Sequence, residues 1–139
     1  MLHDIGLTRI ETEERSRHAK VGSELAGQSL SEHHLFSGQD IDVIVEAIRC
    51  HSSAWGGGPV SIVLRDADRL DALGAVGIMR AFTTHAARPE YTVPNVRGET
   101  WGLEIRDFEK RFSEGLGVGE CIVDQINFQI SLYGDLRTG

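Results

Sequence analysis

Between Ser37 and Pro59 the chain spells out one complete helix. Ile41, Ile44, Val45 and Ile48 recur at the spacing of a single helical face. Ser37 or Asp40 stands where a side-chain oxygen can cap the first turn. The helix carries on to Cys50 and His51, then stops at Ser52-Ser53-Ala54-Trp55-Gly56-Gly57-Gly58-Pro59, a flexible loop suited to lie over a site.

The same period returns elsewhere, and no convincing run of alternating strand residues accompanies it. Met1 to His3 reads as the last turn of some element, too short to define a helix of its own, with Gly6 as a stop. A helix is expected from about Glu13 to Leu30, with Val21, Leu25 and Ala26 sharing a face with His18 and Gly22 allowing another helix to approach. Ser31 to Ser37, holding His33 and His34, reads as a polar turn. Ser61 can cap a further helix whose buried side is Ile62, Val63, Leu64, Ala67, Leu70 and Leu73. Gly74 and Gly77 flank a tight passage into the apolar stretch Ile78 to Ala87. Residues 88–100, with Pro89, Pro94, Asn95 and Gly98, read as an irregular excursion of the kind that covers a pocket. Helices are expected again over 103–133, on Leu103, Ile105, Phe108 and Phe112, then on Ile122, Ile126, Ile130 and Tyr133. The expected class is all-α, in one domain over 1–139.

Composition narrows the function. A length of 139 residues and 40% hydrophobic content can supply one ordinary core. A formal charge of -7 argues against a nucleic-acid surface, which needs clustered Lys and Arg, but leaves room for a small anionic substrate neutralised locally by a metal ion. Cys50 and Cys121 form no staple pattern and fit a reducing compartment. No apolar run reaches membrane-spanning length. A cytoplasmic protein is the expectation.

Two acidic clusters could carry chemistry. His3-Asp4 stands at the start, and Asp66-Ala67-Asp68-Arg69-Leu70-Asp71 lies far downstream. A divalent ion accepts imidazole nitrogen and carboxylate oxygen together and can generate the nucleophile for hydrolysis. On one helix Asp66 and Asp68 diverge by roughly 200 degrees, so both cannot easily reach one ion. Asp68 is the chosen inner ligand, with Asp71 as a cap, salt-bridge partner or outer support and Asp66 the weaker candidate. Spacing alone leaves the alternatives open: helical carboxylates mostly face water, and residues 3 and 4 are equally a frayed end. His18 and His51 either converge on a pocket or are ordinary half-buried histidines; His33 and His34 are expected to face solvent.

Leu2-His3-Asp4-Ile5-Gly6, then His18 ahead of Val21-Gly22, then Ile48-Arg49-Cys50-His51-Ser52, then Asp66-Ala67-Asp68-Arg69-Leu70-Asp71 continuing through Ala72-Leu73-Gly74-Ala75-Val76-Gly77-Ile78, resemble the HD superfamily of metal-dependent phosphohydrolases, most closely its small single-domain bacterial branch. Asp124 to Gln129 also resembles a C-terminal helix of some members. The resemblance implies an HD-domain-like helical bundle. It implies His3, Asp4 and Asp68 as ligands of a divalent metal ion (Mn, Fe, Mg, Zn or Co), with Arg69 and Asp71 in support. His18 and His51 would line the pocket and meet phosphate or a second ion, and Asp4 would orient or deprotonate water. The implied reaction is hydrolysis of a nucleotide or other small phosphate ester.

The chain departs from the family pattern in one respect. Members carry a first histidine about one helix-hairpin before the His-Asp pair, so an N-terminally truncated bundle is expected, with one ligand fewer and an exposed apolar groove through which copies could pair as a homo-oligomer. A catalytically impaired remnant that serves as an oligomerisation or ligand-binding module is therefore the competing expectation.

Overall fold

A computed structural model describes residues 2–11, 17–53 and 56–138. Its elements are a 3-10 helix (Leu2–Thr8) and six α-helices: α1 (His18–His33), α2 (Gly38–Cys50), α3 (Pro59–Asp71), α4 (Gly74–Thr84), α5 (Ile105–Ser113) and α6 (Ile122–Tyr133). Among the described residues there is no strand, only an isolated bridge between Thr92 and Asn95. The protein is all-α, as its periodicity predicts. The chain forms two compact units, one through Asp66 with Thr138 added and one over residues 67–137; the division falls inside α3.

In the first unit α1 packs against both the 3-10 helix and α2. Its buried positions are Ala19, Gly22, Ser23 and Ala26, one helical stripe built from small residues rather than from the larger Val21 and Leu25, which are half-buried. Small side chains let backbones close in. A Cβ on Gly22 would stand 3.1 Å from the His3 carbonyl oxygen, and one on Gly6 would overlap the His18 carbonyl oxygen. Gly6 is thus no stop; it lies within the 3-10 helix as the point of closest approach to α1. α1 also runs to His33, further than Leu30, and ends where His34 takes a left-handed conformation. His33 and His34 are both exposed. The expected residues 13–16 of this helix lie outside the described residues.

α2 begins as the sequence predicts. Ser37 Oγ accepts from the Asp40 amide, Asp40 accepts from the Ser37 amide, and the Ser37 hydroxyl donates to the same carboxylate at 2.6 Å. Those bonds, the one from the Ser37 side chain foremost, hold the Asp40 carboxyl below its ordinary value.

α3 departs from the sequence expectation twice. It starts at Pro59, with the Gly58 carbonyl accepting from the Ser61 and Ile62 amides, so Ser61 lies inside the helix and does not cap it. Its buried residues are Ser61, Arg65, Asp66 and Arg69, while Val63 and Leu70 are exposed. A polar face is buried because each group has partners. Arg65 donates to the Cys50 and Gly56 carbonyls, and Asp66 accepts from the Thr138 amide and hydroxyl.

In the second unit α6 packs against α4 and α5. Gly74 and Gly77, expected to flank α4, are both part of it. Phe128 meets Phe108 and Phe112 edge-on, with ring centroids 5.1 and 5.5 Å apart. The first-turn amides of α6 at Ile122 and Val123 donate to the carbonyls of Pro89 and Glu90. α6 buries Ile122, Asp124, Asn127, Gln129 and Leu132, whereas Ile130 and Tyr133 of the expected apolar face are exposed. Asp124 explains why. It accepts from the Thr100 amide and hydroxyl and from the Cys121 amide and thiol. Burial pushes its carboxyl up, but the four bonds together outweigh that and hold it below its ordinary value. Burial first, then the bond to Asp124, pushes the Cys121 thiol up.

Candidate metal centre

Three elements of the first unit deliver one side chain or more each to a common point. The 3-10 helix brings His3 and Asp4, the first turn of α1 brings His18, and the residue closing α2 brings His51. Asp4, His18 and His51 each offer a ligand atom, all within 4.8 Å of one another. His18 Nε2 and His51 Nε2 are 3.1 Å apart, and each lies 3.8 Å from Asp4 Oδ1. The other Asp4 oxygen is 3.3 Å from His3 Nε2. The His3 and His18 rings both meet the His51 ring edge-on, with centroids 5.0 Å away.

His51 is the hub, and its chemistry is set by the backbone behind it. Its Nδ1 lies 2.6 Å from the Ile48 carbonyl oxygen, which can only accept, so Nδ1 carries the proton. Nε2 then holds a lone pair aimed at His18 and Asp4. This is the arrangement in which an imidazole ligates a metal: one nitrogen donates to a carbonyl and the other is presented neutral. The ring is 3% exposed, so its orientation is held by packing as well.

These residues suit a divalent ion. Two nitrogens bound at ordinary zinc-type distances, roughly 2.0–2.1 Å from one ion, stand about 3.0–3.4 Å apart, and the two Nε2 atoms are separated by 3.1 Å. The Asp4 oxygen, at 3.8 Å from both, would subtend a wider angle. Without an ion the same contact is a hydrogen bond in which His18 Nε2 donates to His51 Nε2.

The remaining sequence candidates are placed as follows. Asp68 is half-buried on α3, one turn beyond Arg65 on the stripe Ser61–Arg65–Asp68, and belongs to the second unit. Arg69 is buried and pairs with Asp135, its Nη1 2.7 Å from the carboxylate and 3.0 Å from the carbonyl. Asp71 is exposed and pairs with Arg80. Trp55, expected in the loop over the site, lies outside the described residues. Sequence reasoning missed Arg65 and Asp66 as buried groups. The available signal was their i, i+4 and i+5 spacing from Ser61, which puts three polar residues on one side of a helix.

No helix among the described residues is long and apolar enough to cross a membrane. Residues 1–75 match the model of the HD domain family. No curated protein matches the chain, and no solved structure does.

Proposed function

The chain belongs to the HD domain family, and on that footing we propose that it is a metal-dependent phosphohydrolase acting on a nucleotide or another small phosphate ester. The observation that carries the reading is the convergence of His51 Nε2, His18 Nε2 and Asp4 Oδ1, with His51 Nδ1 turned to the Ile48 carbonyl. When bound, a divalent ion supplies Lewis acidity toward the ester and its attacking water. Mn, Fe, Mg, Zn and Co all accept such a donor set.

The chain's own groups divide the remaining work. His51 and His18 hold the ion through nitrogen. Asp4 is half-exposed, so its carboxylate can reach both the ion and an incoming water, accept that water's proton and orient it. His3 is a further ligand in this reading, its Nε2 3.3 Å from the other Asp4 oxygen. Asp68 is the distal ligand in this reading, on the footing of the family pattern. Arg69 and Asp71 support α3 through Asp135 and Arg80. With a net charge of -7, attraction of a phosphate has to come from the ion and the imidazoles rather than from the surface. Cys50 and Cys121 are free thiols, and the reducing cytoplasm is the compartment we assign.

The test is direct. The chelated protein is titrated with each ion, and phosphate release is followed on nucleotides and an aryl phosphate. Metal-dependent turnover, abolished in Asp4→Asn and His51→Ala, is expected. Absence of metal binding would reject the reading.

A second reading, a module that pairs with another copy of itself, is favoured by α4. Val76, Ile78, Met79 and Phe82 are all exposed there, on a helix with no acidic residue. Metal-free binding of a phosphate ester would instead favour a sensing role.

A further inference from the structure

We propose that Arg65 is a positioning residue for His51, acting through the peptide unit that joins Cys50 to His51. The inference rests on the reading that His51 is a metal ligand, and every residue in it belongs to the first unit. Arg65 lies midway along α3 and is 2% exposed. Its Nη2 donates to the Cys50 carbonyl at 3.3 Å and to the Gly56 carbonyl at 2.7 Å. One nitrogen, with two N–H bonds to give, thus ties the end of α2 to Gly56.

The sequence provides for this bridge at both ends. The Cys50 carbonyl lies in the last turn of α2, where carbonyls lack a partner within the helix and carry its negative pole. Gly57 has φ +80, and a Cβ on it would overlap the Ser61 hydroxyl and stand 3.1 Å from Cys50 Cβ. Gly57 therefore passes closely between Cys50 and Ser61, and Arg65 sits one turn beyond Ser61 on the same side of α3. A buried guanidinium depends on well-placed acceptors, and these two carbonyls are such acceptors.

The consequence for His51 follows from the planarity of the peptide. The Cys50 carbonyl and the His51 N–H lie at opposite edges of one rigid plane. Arg65 holds the carbonyl edge, and the Ile48 carbonyl accepts from the N–H edge at 3.4 Å. With that plane held, the ring is placed to bring Nδ1 2.6 Å from the same Ile48 carbonyl. Ser53 also donates to the Cys50 carbonyl, and Arg65 and His51 make further contacts of their own. The coupling between Arg65 and His51, rather than either loss alone, is therefore decisive.

Two measurements on the full chain test this. In metal-free Arg65→Gln, the His51 ring nitrogens should leave the parent's pattern, protonated at Nδ1, and move toward the average of the two tautomers, with far-ultraviolet circular dichroism unchanged. Mn2+ binding should weaken about 10–100-fold, the range typical of groups that orient ligands. In a His51→Ala background, followed by electron paramagnetic resonance at high Mn2+, Arg65→Gln should weaken binding no further. Unchanged ring resonances, or equal weakening in both backgrounds, would overturn the proposal and leave the metal reading standing. If Arg65→Gln does not fold, the parent decides. Its Arg65 Nη protons should exchange slowly and show Overhauser contacts to the α protons of His51 and Gly57; fast exchange without those contacts would overturn the bridge. A parent chain that binds no Mn2+ would remove the metal reading, and the ring resonances would separate that failure from a failure of the bridge.

Discussion

Gly6 and Gly22 face each other across the 3-10 helix and α1, so closely that a Cβ on Gly22 would come within 3.3 Å of the Gly6 amide nitrogen. That contact sets the distance between the element carrying His3 and Asp4 and the element carrying His18. Gly6→Ala would force a methyl into the His18 carbonyl, and overpacking of this kind costs about 1–3 kcal/mol. We expect a lowered melting temperature and, because the two elements are pried apart, weaker metal binding than stability loss alone explains. Gly22→Ala meets looser neighbours and should be milder on both counts. Calorimetry paired with a metal titration checks the order of the two variants.

The bond between His51 and the Ile48 carbonyl makes a spectroscopic prediction. In metal-free protein, long-range proton–nitrogen correlation should show His51 protonated at Nδ1 and His18 protonated at Nε2. Addition of Zn2+ should shift both Nε2 resonances and leave the His51 Nδ1 proton in place. A His51 ring protonated at Nε2 in the metal-free state would contradict the site as described. His51→Ala should cost metal affinity more than about 100-fold, beyond what loss of an outer support produces.

Asp124 predicts the acid limb of stability. Its folded carboxyl is held below the ordinary value, so the unfolded chain binds its proton more readily and stability rises with pH across that interval. The contribution is complete above the unfolded value, near 3.8, and is lost as the pH falls from there through the lower folded value. Asp124→Asn should flatten this limb and destabilise the protein at neutral pH, since an amide cannot accept all four bonds. Denaturant melts at a series of acidic pH values measure it.

Met79 tests pairing between copies. It is 68% exposed on α4 beside Val76 and Phe82. If this face joins two copies, Met79→Glu places a charge in a desolvated contact and should raise the dimer dissociation constant at least tenfold, about 1.4 kcal/mol. Sedimentation equilibrium reads the change. A parent chain that is monomeric at high concentration would dismiss the second reading and leave the hydrolase reading untouched.

Legibility in the sequence followed the range of the interactions. α2 could be read because Ser37, Asp40 and the stripe to Ile48 act within a few residues of one another. α3 and α6 could not. Periodicity assigns Val63 and Leu70, or Ile130 and Tyr133, to the core, yet Arg65, Asp66, Asp124 and Asn127 are the buried residues. Their partners are the Gly56 carbonyl, Thr138, Thr100 and the Arg97 carbonyl, from 9 to 72 residues away. Nothing local announces such a partner. Of the stripe Ala19–Gly22–Ser23–Ala26 only Gly22 and Ala26 are legible in the sequence, because small residues score weakly as apolar.

What the sequence by itself determined is the helical class, the capped start of α2, and a set of imidazoles and carboxylates whose motifs match one family. Those properties follow from nearest-neighbour periodicity and from residue identity. Only the tertiary structure decided that Asp4, His18 and His51 converge, that His51 presents Nε2 rather than Nδ1, and that polar faces of α3 and α6 turn inward. The His51 orientation depends on the Ile48 carbonyl one turn back, which the fold of α2 brings to its ring. The inward polar faces depend on hydrogen-bond partners supplied by distant segments, and burial of a polar group becomes favourable only once that partner is in place.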